Sequence, residues 1–102
     1  MELSAFGERL ARLRLAKGVS ARKMSEDIGR NANYINKVEN NKMFPSMPVF
    51  FDICEYLKIS PSEFFNKDNA DPIKSNEFFI KYHRLDHKGR ENIEGIVDQM
   101  IR

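Results

Sequence analysis

Residues 20–42 read SARKMSEDIGRNANYINKVENNK, and the reading of this stretch decides the fold. Ser20 offers a helix cap before residues 21–28, where Met24 and Ile28 stand four apart and so share one helix face. Gly29 breaks that helix. Asn31 is a good cap for the next one, Ala32–Glu39, whose Ile35 and Val38 would point inward. Asn40-Asn41 can end it, because asparagine tolerates the left-handed backbone almost as glycine does. The spacing therefore predicts two short helices meeting at a tight turn.

Working outward, residues 4–17 form a helix capped by Ser4, with Phe6, Leu10, Leu13 and the stem of Lys17 along one side and Gly18 closing it. Downstream, a loop over Lys42–Pro45 leads to Ser46 and a strongly apolar fourth helix running to Leu57. Ser60-Pro61-Ser62-Glu63 then combines a cap, a proline at the first helical position and a glutamate at the third, a complete capping box that opens a one-turn helix ending in Phe64-Phe65. The polar, proline-containing stretch 67–75 reads as a linker between a module at 1–66 and a C-terminal segment at 76–102. That segment holds two helices, about 76–85 and 87–101, and the second carries Ile93, Ile96, Val97, Met100 and Ile101 on a single face. The fold class is all-α.

Composition narrows the function. An apolar fraction of 41% in 102 residues supports a modest core. No run approaches the ~20 apolar residues of a membrane span, and Met1-Glu2-Leu3-Ser4 lacks a signal-peptide layout. A lone cysteine, Cys54, sits in an apolar stretch as a small hydrophobe; both features fit the cytoplasm. Two histidines, no Gly-rich phosphate loop and no paired acids make an enzyme unexpected. His83 and His87 are four apart, but a helix break at Asp86 need not let the rings converge, so no metal and no cofactor are expected. Residues 1–45 hold nine basic against five acidic side chains, and residues 46–102 eight against ten. That asymmetry suits a polyanion on one side of the molecule.

The stretch from Phe6 to Phe65 resembles the helix-turn-helix family of lambda repressor and Cro, the XRE type. The marks are Gly7-Glu8-Arg9-Leu10, Arg14, Lys17-Gly18-Val19-Ser20, Ile28-Gly29, Tyr34-Ile35, Val38-Glu39-Asn40, Lys42, Pro45-Ser46, Leu57 and Ser60–Phe65. The resemblance implies a five-helix, lambda-repressor-like DNA-binding domain, here followed by the C-terminal pair. Independently of it, a short helix protruding from a three-helix support fits the major groove of B-DNA. Its outward set would be Asn31, Ala32, Asn33, Asn36 and Lys37. Asparagine can pair with adenine, lysine can donate to guanine, and alanine can touch a thymine methyl. The resemblance makes Ala32, Asn33 and Lys37 the leading base readers, with Asn36 in support.

Candidates for phosphate contact are Ser20, Arg22 and Lys23 at the start of the second helix, Tyr34, and Asn40 with Lys42 after the third. The resemblance also implies that Arg14 and Glu39 pair, tying the first helix to the end of the third. Two positions depart from the pattern: Ala21 stands where the family usually has glutamine, and Asn41 where it has glycine. The resulting expectation is a regulator that binds double-stranded DNA as a homodimer on a palindromic operator and represses transcription. An antitoxin, or an adaptor for an unidentified protein partner that kept the fold, is the alternative. Two placements are open for the C-terminal helices: against a second chain, or back onto Phe50, Phe51 and Phe65.

Overall fold

The computed structural model describes all residues, 1–102, as seven helices without a strand. They are α1 (Leu3–Lys17), α2 (Ala21–Asp27), α3 (Tyr34–Glu39), α4 (Met47–Leu57), α5 (Pro61–Phe65), α6 (Pro72–Arg84) and α7 (His87–Met100). None is long and apolar enough to cross a membrane. The first five close around one core. Leu10 and Leu13 from α1, Met24 from α2, Ile35 and Val38 from α3, Ile53 and Leu57 from α4 and Phe64 from α5 are fully buried. Phe6, Phe50 and Phe64 pack ring against ring, with centroids 4.9–5.9 Å apart. Cys54 lies in the same core, where burial pushes its thiol up to about 11 and keeps it protonated.

Local chemistry explains most of the ends. Ser20, Ser46 and Ser60 each accept a bond from the backbone N–H three residues on, and Glu63 completes the Ser60 box by accepting from the Ser60 N–H. Gly18 and Gly29 sit at φ 80° and 78°, the left-handed region that glycine enters freely. Asn41 takes the same conformation after α3, at φ 64°. Gly7 has another task. A Cβ there would stand 2.8–2.9 Å from the carbonyl oxygens of Val38 and Glu39, so only glycine lets α1 approach the end of α3 so closely.

The structure corrects several boundaries. Helix α1 starts at Leu3 behind Glu2, so Ser4 lies inside it and caps nothing. Helix α2 ends at Asp27, with Ile28 already in the turn. The stretch 67–75 is only partly a linker, since α6 begins at Pro72 with Asp71 as its cap. Pro72 and Ile73 are buried, and the Asn76 amide donates to the Lys58 carbonyl at 3.2 Å. The first turn of α6 thus seats beside Ala16, Lys17, Leu57 and Lys58, not on Phe50, Phe51 and Phe65. Between α6 and α7, Asp86 caps α7, and Gly89 inside it leaves room for Leu85, whose Cβ would be 3.2 Å from an added methyl.

One residue with no assigned role anchors the module. Arg9, buried, donates from Nε to the Phe64 carbonyl at 2.6 Å and from Nη2 to those of Glu63 and Asn66 at 2.8 and 3.1 Å. It satisfies the open carbonyl end of α5, where a cation is also favoured by the helix dipole.

Candidate nucleic-acid interface

Two ties fix α3 on its support, and a third braces α2 behind it. Ser25, fully buried, donates its hydroxyl to the Ala21 carbonyl at 2.7 Å and accepts from the Ile35 N–H at 2.9 Å. A single oxygen thus links α2 to the open first turn of α3. At the other end, Arg14 grips Glu39 with two bonds of 2.7 and 2.9 Å and gives a third to the Val19 carbonyl at 2.9 Å. The two side chains are only 14% and 10% exposed. The bond to Glu39 outweighs burial and raises the Arg14 pKa above its ordinary value, so the guanidinium stays charged. Behind α2, Tyr56 donates to Asp27 at 2.7 Å, and Lys17 Nζ stands 4.9 Å above the Tyr56 ring. Burial and that bond push the Tyr56 hydroxyl up to about 12.

The outward set does not all stand on α3. Asn31, Ala32 and Asn33 form the turn before it, because the Asn31 side chain accepts from the Asn33 N–H at 2.9 Å. Asn31 therefore caps a turn rather than the helix, and Ala32 is half-buried. Asn33, Asn36 and Lys37 are exposed, and Asn36 accepts from the Asn40 amide at 3.0 Å. The protruding end is thus an asparagine turn followed by a six-residue helix, presenting amides and one ammonium.

The flanking cations divide into two groups. Arg22 is held by Glu26 at 3.0 Å and Lys23 by Asp27 at 3.2 Å, each across one helical turn. Ser20 Oγ is spent on its own cap. Lys42 and Asn40 are exposed just past α3. Tyr34 is half-buried, and burial raises its hydroxyl pKa. Arg30 lies 5.7 Å over its ring, exposed in the turn between α2 and α3. Arg30 was not among the site candidates read from the sequence. Its place in the turn, immediately before the asparagine run, was the available signal. His83 packs edge-on against Phe79 and His87 pairs with Glu91 at 2.8 Å, so the two rings are engaged separately.

A short, firmly braced helix raised on a three-helix support, with hydrogen-bonding tips and cations around it, defines the helix-turn-helix class of DNA-binding regulators. The chain belongs to the helix-turn-helix domain family, whose model matches residues 7–69. No curated protein and no solved structure matches it.

Proposed function

We propose that this protein is a sequence-specific transcriptional regulator of the phage-repressor type, which binds a palindromic operator as a homodimer and represses by blocking polymerase. The observation that carries this reading is the protruding end itself. Asn33, Asn36 and Lys37 are exposed together on an element held at one end by a buried bond and at the other by a part-buried ion pair. Preorganisation of that kind serves base recognition, where a misplaced tip loses its paired contact. In this reading Asn33, Asn36 and Lys37 meet base edges, with Asn31 and Ala32 at the approach to the groove. Lys42, Asn40, Tyr34 and Arg30 meet phosphate, and Ser20, Arg22 and Lys23 lie along the backbone. The protein works in the cytoplasm as a binder rather than an enzyme, without metal or cofactor.

One observation favours a second reading, an adaptor or antitoxin that recognises a protein. Arg22 and Lys23, at the edge where a family member would grip the DNA backbone, are neutralised by Glu26 and Asp27, and Ala21 replaces the glutamine. Titration of duplex DNA across salt concentrations separates the two. A regulator loses affinity linearly in log–log form, with a slope that counts the phosphates neutralised. An adaptor shows no such binding.

A further inference from the structure

One edge of the Arg9 guanidinium has no use within the chain. Its Nε and Nη2 donate to the carbonyls of Phe64, Glu63 and Asn66, while Nη1 donates to nothing in the protein. No buried side-chain nitrogen lacks a partner, so Nη1 reaches the surface although the residue as a whole is only 7% exposed. It does so in a cavity of about 160 Å³ lined by Ala5, Glu8, Arg9, Arg12 and Lys67. The three bonds to the end of α5 fix the guanidinium plane, and with it the direction in which Nη1 points.

The charge around that edge is unbalanced. Arg12 and Lys67 are exposed, and neither they nor Arg9 stands in an ion pair. The pairs of the chain are Arg14–Glu39, Arg22–Glu26, Lys23–Asp27 and His87–Glu91. Glu8 is the one carboxylate lining the cavity, so three positive charges face one negative charge, an excess of two. Burial first, and the Arg12 charge second, lower the Arg9 pKa, so the two guanidiniums already oppose each other. A dianion would balance that excess.

We propose that Arg9, Arg12 and Lys67 bind the phosphate group of a small molecule. A fixed guanidinium edge, a second guanidinium and an ammonium supply donors from separate positions, which suits a tetrahedral oxyanion. The volume admits a group of that size and not a drug-sized body. The duplex read by α3 is a poor occupant. On α1, Gly7 faces the end of α3, and Arg9 follows two residues later, about 160° around the helix. The cavity therefore opens away from the recognition element, and the proposal does not depend on the DNA reading. Bound there, the anion would tie α1 to Lys67, which follows the end of α5 that Arg9 holds and opens the connection to α6.

Titration of the full chain with inorganic phosphate and, separately, with glycerol 3-phosphate tests the proposal, read by thermal melting and by the NMR resonance of the Arg9 Nε–H. Both ligands should shift that resonance and raise the melting temperature saturably, with a Kd on the order of 1 mM. The tighter of the two identifies the free ion or an ester as the source. Chloride at matched ionic strength should do neither. Arg12→Gln with Lys67→Gln should weaken phosphate binding at least about 10-fold. It should not lower the melting temperature in chloride, since both side chains are exposed. The absence of a saturable response would overturn the proposal, as would an equal response in the double variant or in chloride. A double variant that instead loses duplex affinity and flattens its salt slope would also overturn it, by giving these cations to the DNA backbone.

Discussion

The module and the C-terminal arm put similar side chains to opposite uses. In residues 1–66 Leu10, Leu13, Leu57, Ile35, Ile53, Phe50 and Phe64 are inside, and helices of 5 to 15 residues are stabilised by packing rather than by length. In α6 and α7 the helices are 13 and 14 residues long, yet only Pro72 and Ile73 at the very start are buried. The difference separates two kinds of stability. The module stabilises itself, whereas the arm leaves most of its apolar side chains exposed and has its buried residues only at its root.

Deletions in the core should show the first kind most strongly. Phe64→Ala removes a fully buried ring that meets Phe6 and Phe50 and should cost about 3–5 kcal/mol in urea unfolding. A loss under 1 kcal/mol would mean that the module core is not the main source of stability. Next comes the Arg14–Glu39 tie. Arg14→Ala leaves a largely buried carboxylate without its partner and should cost about 2 kcal/mol. The double variant with Glu39→Ala should recover part of that loss, and strict additivity would show that the pair contributes no coupling.

Ser25→Ala sharpens the comparison inside the module. It leaves the Ile35 N–H without its partner at the α2–α3 junction and should cost about 1–2 kcal/mol. Its effect on DNA affinity should exceed that of Phe64→Ala, measured where both remain folded, because only Ser25 touches the recognition element directly. Equal losses would make Ser25 an ordinary core residue. The smallest expected effect is on acidification. The bonds from Tyr56 and Lys23 lower the Asp27 pKa, and the Ser60 N–H lowers that of Glu63. Both carboxylates therefore contribute stability above their unfolded values of about 4, and that contribution is lost as pH falls through the lower folded values. Melting temperature should be flat from neutrality to about pH 5 and decline below it. The Asp27→Asn variant should decline less steeply.

The same contrast explains what was legible in the sequence. Caps and periodicity are local, so Ser20, Ser46, the Ser60 box, the Gly18 and Gly29 turns and the inward residues of the first three helices could be read directly. The start of α3 could not, because Asn31 has two local uses, and its turn bond to the Asn33 N–H displaced the cap. The start of α6 was hidden by the polar run before it, although Asp71-Pro72 repeats the cap-then-proline pattern of Ser60-Pro61. Arg9 and Ser25 act on partners that only the tertiary fold supplies, Arg9 across more than 50 residues. The neutralisation of Arg22 and Lys23 was visible in their spacing to Glu26 and Asp27. It changes how those two residues weigh as phosphate contacts.

The central claim is that the asparagine turn and α3 read base sequence. Selection of bound duplexes from a random pool, run in parallel for the wild type and for Asn33→Ala, Lys37→Ala and Lys42→Ala, tests it most directly. The wild type should enrich a two-fold symmetric motif. Asn33→Ala and Lys37→Ala should each lose about 1–3 kcal/mol on it and relax preference at one base position. Lys42→Ala should weaken all sequences alike and flatten the salt slope. A motif unchanged in both the Asn33 and Lys37 variants would contradict the claim and remove α3 from the reader's role.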